Sequence, residues 1–203
     1  DINWVRGNLS SPFETIWLEL NSISVMKVDP VSKTEYSSIQ KTRSFHPATN
    51  DRVFLFSQLS KHIEEACRKM RHYNQQAKKV SFFLKTKDFK YHVFSSTLSS
   101  STGSPESIVS SAFKNFSMFW QKDVLYRTTG VVLSELVSCG MKQADLFGET
   151  REVDKFDTIH KQLDLLEEKF GKRVVYLGST HKAIKVKEKG TNSDDLNRNL
   201  LFL

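Results

Sequence analysis

Ser38, Gln40, Thr42 and Ser44 stand at every second position, with Ile39, Lys41, Arg43 and Phe45 between them. Alternation at period two sets the first four on one face of a strand, where short hydroxyl and amide groups can come close to an oxyanion, with Lys41 and Arg43 supplying charge beside them. That row suits a phosphate backbone. It holds nothing that could make or break a bond, and the rest of the chain adds nothing of that kind. Phosphate-loop, dinucleotide, zinc-protease and nucleophile-elbow motifs are all missing. The histidines at 46, 62, 72, 92, 160 and 181 are scattered, and Cys67 and Cys139 form no CxxC and have no His at ligand spacing. Both cysteines are read as reduced thiols, and no metal or other cofactor is expected in this chain.

Charge is distributed unevenly around that row. The 203 residues carry 30 Lys plus Arg against 23 Asp plus Glu, a formal net charge of +7. From Lys41 to Lys90 there are 12 basic and 4 acidic residues, leaving 18 basic and 19 acidic elsewhere. One stretch therefore holds the whole positive excess, which suggests a positive field over one surface and a polyanionic partner, nucleic acid above all. Hydrophobic residues make up 38% of the chain, with 15 Phe against 8 Gly and 4 Pro, enough to bury a core. No run approaches the roughly 20 apolar residues of a membrane span, and no signal-peptide pattern opens the chain. A cytoplasmic protein with no membrane partner is expected. Because the sequence starts at Asp1 and not at Met, it is read as a piece of something longer.

The elements that must position these residues follow from pattern. Residues 11–28 place Phe13, Ile16, Trp17 and Leu20 at helical spacing, as the end of a helix broken by Asp29-Pro30. Ser37 to Phe45 reads as a strand. From Val53 to Tyr73, the apolar positions Leu59, Ile63, Ala66, Met70 and Tyr73 form one stripe, with Lys61, Glu64, Glu65, Arg68 and Arg71 left wet and Asn50 or Asp51 as cap. Val80–Thr86 and Tyr91–Thr97 read as a hairpin linked by Lys87–Lys90, and Ser95–Ser104 as mostly loop. Ser104-Pro105-Glu106 opens a second helix, with Val109, Ala112, Phe113, Phe116 and Trp120 as its apolar stripe. Arg127–Glu135 reads as the last strand.

This order predicts an α+β fold: a βαββαβ four-stranded antiparallel sheet with two helices on one face and the other face open. A C-terminal helical extension follows. It begins at Asp154, with Phe156, Ile159, Leu163, Leu166 and Phe170 as its stripe and Gly171 as its stop. Val174–Leu177 reads as a short strand, and the basic tail from His181 as polar and mobile.

Three segments, residues 37–86, then Tyr126–Leu136, then Gln143–Glu149, resemble the C-terminal part of Y-family translesion DNA polymerases, the DinB and UmuC group. In that family a strand reading like Ser38–Phe45 opens the little finger domain, and Gly130-Val131 sits in its last strand. The resemblance implies the end of a thumb and a linker at 1–36, the little finger at 37–138, a linker at 139–153, and a helix, short strand and basic tail at 154–203. It also implies a domain lying along primer-template DNA. The contacts would come from Ser38, Gln40, Lys41, Thr42, Arg43 and Ser44, then Lys78 and Lys79, Ser96, and Arg127 and Thr128. Nucleotide transfer, with palm carboxylates and magnesium, would belong to palm, fingers and thumb upstream, so this chain alone should not be a polymerase.

Gln143-Ala144-Asp145-Leu146-Phe147 resembles the peptide by which bacterial proteins dock on the sliding clamp. A Leu-Phe plug would fill an apolar pocket while Gln143 anchors one end. The other reading is that Leu146 and Phe147 pack on this chain's own sheet. Gln162–Leu166 has similar letters, but Leu163 and Leu166 fall on the helix stripe and are expected to be buried. A different class of function, a free-standing RNA-binding module, is suggested by Phe82, Phe83, Tyr91 and Phe94, although they fall on both strand parities.

Overall fold

Asp51 accepts the backbone N–H groups of Val53 and Phe54, each at 3.0 Å, and so starts the long helix that organises the fold. The computed structural model describes residues 1–28, 30–31, 35–139, 149–171 and 174–189, with side chains except at 149–155, 157 and 186–189. The chain divides into two units, Asp1–Thr34 and Glu35–Leu203.

In the first unit, α1 (Ile2–Asn8) is capped by Asp1, and α2 (Ser11–Leu20) has Pro12 in its first turn. Arg6 pairs with Glu14 across the two helices at 2.6 Å. The expected helix stops at Leu20 and does not run on to 28. Ser22 adopts a positive φ of 64°, and the Glu19 carboxylate takes the N–H groups of Val25 and Met26.

The second unit runs β1 (Ser38–Thr49), α3 (Arg52–His72), β2 (Gln75–Thr86), β3 (Tyr91–Thr102), α4 (Pro105–Phe119), β4 (Tyr126–Ser138), α5 (Glu149–Phe170), a 3-10 turn at Gly178–Thr180 and α6 (His181–Lys189). The strands form one antiparallel sheet in the order β1-β4-β2-β3. The expected βαββαβ architecture with its helical extension is present. Leu59, Ile63 and Met70 of α3, with Ile108, Ala112 and Phe116 of α4, pack against Val80, Phe82, Leu84, Val131 and Leu133 of the sheet, all buried. Each of these side chains larger than alanine stabilises the fold by about 1.5–3 kcal/mol, so the two helices are firmly fixed to one face.

Several expectations fail for identifiable reasons. β3 continues to Thr102, because its serine-rich half pairs with β2 through a bulge that brings Ala77 opposite Thr102. Ile108 and Phe119 replace Val109 and Trp120 on the fully buried stripe of α4, and Phe113 is exposed. The two sets share one period, so spacing alone does not fix the phase. On α3, Glu64 is only 3% exposed, because Leu177 donates its N–H to Glu64 Oε1 at 2.8 Å. Residues 174–177 form no strand. Residues 181–189 are helix α6 and not a loose tail: Ala183 N–H donates to Ser57 Oγ at 2.9 Å, and Lys182 pairs with Asp51.

α5 starts at Glu149 and ends where Gly171 takes a φ of 64°, but it docks through charge and not through its apolar stripe. His160 meets Glu106 at 2.7 Å, Asp164 takes a two-pronged bond from Arg71 at 2.8 Å, and Glu167 pairs with Arg68. Ile159, Leu166 and Phe170 are exposed and Leu163 is half-buried, contrary to the burial expected of Leu163 and Leu166. Among the described residues no helix is long and apolar enough to cross a membrane.

Candidate nucleic-acid interface

The sheet register defines the face that α3 and α4 leave open. Partners across antiparallel strands share a side, so four rows can be read off directly. The first two are Ser38, Ser134, Lys79 and Thr97, then Gln40, Val132, Ser81 and Ser95. The last two are Thr42, Gly130, Phe83 and Val93, then Ser44, Thr128, Lys85 and Tyr91. No acid occurs in these rows. Ser38, Gln40, Thr42 and Ser44 are all exposed, as the alternation predicts.

The hydroxyls differ in what they can still offer. Thr42 Oγ1 donates its proton to the Thr129 carbonyl at 3.0 Å, which leaves it as an acceptor only. Ser44 and Thr128 share one hydrogen bond at 2.8 Å, as do Ser81 and Ser95, so each pair keeps one O–H for an incoming oxyanion. β1 is an edge strand, and alternate N–H groups along it point outward, adding donors that sequence composition does not reveal.

The structure brings only some of the expected contact residues to this face. Ser38, Gln40, Thr42, Ser44, Lys79 and Thr128 share it. Lys41 and Arg43 pair with Val131 and Thr129 and lie on the helix side of β1. Ser96 pairs with Val80 and also lies on the helix side, while its neighbour Ser95 is on the open face. Lys78 is exposed beside the bulge of β2, and Lys79 has Glu135 at 3.8 Å. Arg127 is the extra residue where the register slips between Lys85–Thr128 and Thr86–Tyr126, and it reaches over the hairpin. Gln143, Ala144, Asp145, Leu146 and Phe147 lie outside the described residues.

Sequence reasoning missed Ser81, Lys85 and Ser95. The signal was available, since Lys79, Ser81, Phe83 and Lys85 alternate along β2 as Ser38–Ser44 do along β1. It also overstated the concentration of charge. Of the cations in Lys41–Lys90, Arg68 and Arg71 sit on α3, away from the open face, and are paired with acids of α5. Of the four aromatics that suggested an RNA platform, Phe82 and Phe94 face the helices and stack on Phe119, whereas Phe83 and Tyr91 are on the open side. Among the described residues no group of three or more His, Cys, Asp or Glu could hold a metal ion. Burial pushes the Cys67 thiol up to about 12, which makes it an inert part of the core.

A sheet clad by two helices on one side and lined by hydroxyls and lysines on the other defines an open-faced βαββαβ domain. The model of the impB/mucB/samB family C-terminal domain matches residues 36–146, more than half of the chain, and the chain belongs to that family as a Y-family polymerase C-terminal region. Among curated relatives, Protein ImpB of Salmonella typhimurium is 24% identical over 181 residues, 86% of this chain and 42% of its own length. DNA polymerase IV of Clostridium acetobutylicum is 23% identical over 175 residues, 86% of this chain and 43% of its own. The chain thus spans less than half the length of these relatives. Solved structures with similarity include DinB from Sulfolobus solfataricus, at 17% identity and a TM-score of 0.45. An insertion ternary complex of Dbh DNA polymerase is similar at 16% identity and a TM-score of 0.45. Each match covers 68% of this chain and 39% of the other.

Proposed function

We propose that the chain is the DNA-holding and clamp-docking C-terminal part of a lesion-bypass DNA polymerase that works in the cytoplasm. The supporting observation is the open face itself: four rows without an acid, carrying paired hydroxyls with a proton to spare, Lys79 and Lys85, and the free edge of β1. Such a surface contacts phosphates and sugars and reads no sequence. Residues 37–138 form the DNA-holding domain, 1–36 the thumb end and linker, 139–153 the clamp-docking linker, and 154–203 an extension. Nucleotide transfer and its magnesium ions belong to the palm, fingers and thumb of the same polymerase.

Binding by the 203-residue chain alone should be weak, with a Kd of about 10⁻⁴ to 10⁻⁶ M, because non-specific phosphate contacts supply no more. Attachment to the catalytic part raises the effective concentration. A salt titration with a primer-template duplex tests the reading. Affinity should fall steeply with ionic strength, and affinity indifferent to salt would overturn it. For the Gln143–Phe147 peptide, changing Leu146 and Phe147 together to Ala should abolish binding to a bacterial sliding clamp. Unchanged binding would refute that part alone.

A further inference from the structure

We infer that the hairpin end of the open face is a second nucleic-acid site, which stacks unpaired bases of a DNA single strand beside the duplex-holding rows. This rests on the DNA reading above and adds a strand type to it.

Phe89 sits in the β2–β3 turn with a φ of 67° and is 60% exposed. A bulky residue in the left-handed region is strained, and glycine or asparagine would form this turn at lower cost. Neither side chain burial nor turn geometry therefore explains a phenylalanine here. Tyr91, on the open face two residues later, is 57% exposed, with its ring centroid 5.7 Å from that of Phe83.

Cations converge on these two rings. The Arg127 guanidinium lies 4.6 Å from the Phe89 centroid, and Lys85 Nζ lies 4.9 Å from both the Phe89 and Tyr91 centroids. Lys87 and Lys90 are exposed in the same turn, with Asp88 as the acid between them and Asp123 in the loop that Lys87 N–H joins through the Leu125 carbonyl. The balance stays positive. In the free protein the rings hold the cations in place. An incoming phosphate competes for Lys85 and Arg127, and the ring faces they cover are released to stack on bases.

The combination selects a single strand. In a duplex the base faces are already stacked and inaccessible, so exposed aromatic rings gain nothing from it, whereas each unpaired base presents a free face. The position fits as well. Lys85 and Tyr91 belong to the last of the four open-face rows, so a strand leaving a duplex held on those rows passes directly onto the rings.

The test measures binding of the 203-residue chain by fluorescence anisotropy to three probes: a blunt duplex, the same duplex with a short thymidine overhang, and that overhang sequence as uridine RNA. The overhang should tighten binding roughly tenfold over the blunt duplex. Phe89→Gly, a change in the turn and outside the four rows, should remove most of that gain and leave blunt-duplex affinity unchanged, while Phe89→Trp should keep it. Phe89→Gly relieves the turn strain, so loss of the gain cannot be laid to misfolding. Equal affinity for blunt and overhang probes in the unaltered chain, or a full gain in Phe89→Gly, would overturn the site. Tighter binding of the RNA than of the overhang would overturn its assignment to DNA. Salt-insensitive blunt-duplex binding, by contrast, refutes the phosphate-row reading whatever the overhang does.

Discussion

The ring of Phe83 lies over Gly130 of the neighbouring strand, so close that a Cβ at Gly130 would stand 2.2 Å from Phe83 Cζ. The ring fills the place of the missing side chain and is itself only 8% exposed, which keeps this row of the open face flat. Gly130→Ala must turn the ring out, and should destabilise the fold by about 1–3 kcal/mol in urea unfolding. In a Phe83→Leu background the same change should cost less than about half as much, because the two residues share one space. Equal costs in both backgrounds would show that the contact carries no energy.

His62 gives the fold a pH dependence in mildly acidic solution. It is 3% exposed on α3, and its Nε2 has no hydrogen-bond partner among the described residues. Burial first, then the charges of Lys61, Arg43 and Lys41, pushes its imidazole down from 6.5 to about 4. Between those values the unfolded chain takes up a proton that the folded chain refuses. Stability is therefore fully present above pH 6.5 and is lost as pH falls towards 4, by on the order of 3 kcal/mol. His62→Gln should flatten this part of the stability curve, measured by urea unfolding across the window. A slope unchanged by the substitution would place the effect elsewhere.

Much of this architecture can be read from alternation and capping. Asp51, the α3 stripe and the exposed parity of Ser38, Gln40, Thr42 and Ser44 all follow from local spacing. Ser96, which the family resemblance suggested, shows what a carry-over by position does not fix. The turn Lys87–Lys90 sets Lys85 opposite Tyr91, which puts Ser95 and not Ser96 with Ser81, and a slip of one residue exchanges the faces of the whole strand. α5 fails differently. Its apolar stripe satisfies the period of a buried helix, yet the partners that fix its orientation, Glu106, Arg68 and Arg71, are distant in sequence and polar. Periodicity does not register such pairings, nor did it register the cations gathered around Phe89.

Arg71 should be the principal tie of α5. It is 12% exposed at the side chain, holds both oxygens of Asp164 and also donates to the Gly103 carbonyl at 2.9 Å. Arg71→Ala removes three bonds and leaves a half-buried carboxylate, a loss of about 1–3 kcal/mol concentrated on the docking of this helix. Hydrogen exchange should speed up along α5 while amides of the central strands keep their protection. The Glu106–His160 contact is the second tie. Burial pushes the Glu106 carboxyl up, but bonds from His160 and Ser104 outweigh it and hold the group below its usual 4.5. That stabilisation is present above 4.5 and disappears as pH falls below it, so acid should loosen α5 further in the variant. Unchanged protection of α5 in Arg71→Ala would refute this account.

The two faces of the sheet can be told apart by salt. Each phosphate contact removed should lower the slope of log affinity against log salt by about one, so Lys79→Ala and Lys85→Ala should each do so, and together by about two. Lys69→Ala is the control. Its ammonium lies 4.3 Å from the Tyr36 ring on the helix side, and its loss should leave the slope unchanged. Glu135→Gln sharpens the contrast, because the carboxylate 3.8 Å from Lys79 competes for the same charge. Its removal should strengthen DNA binding while Lys79→Ala weakens it, and in the double variant the gain should vanish. If Lys69→Ala lowered the slope as much as Lys79→Ala, the duplex would have to lie against α3 and not against the open rows.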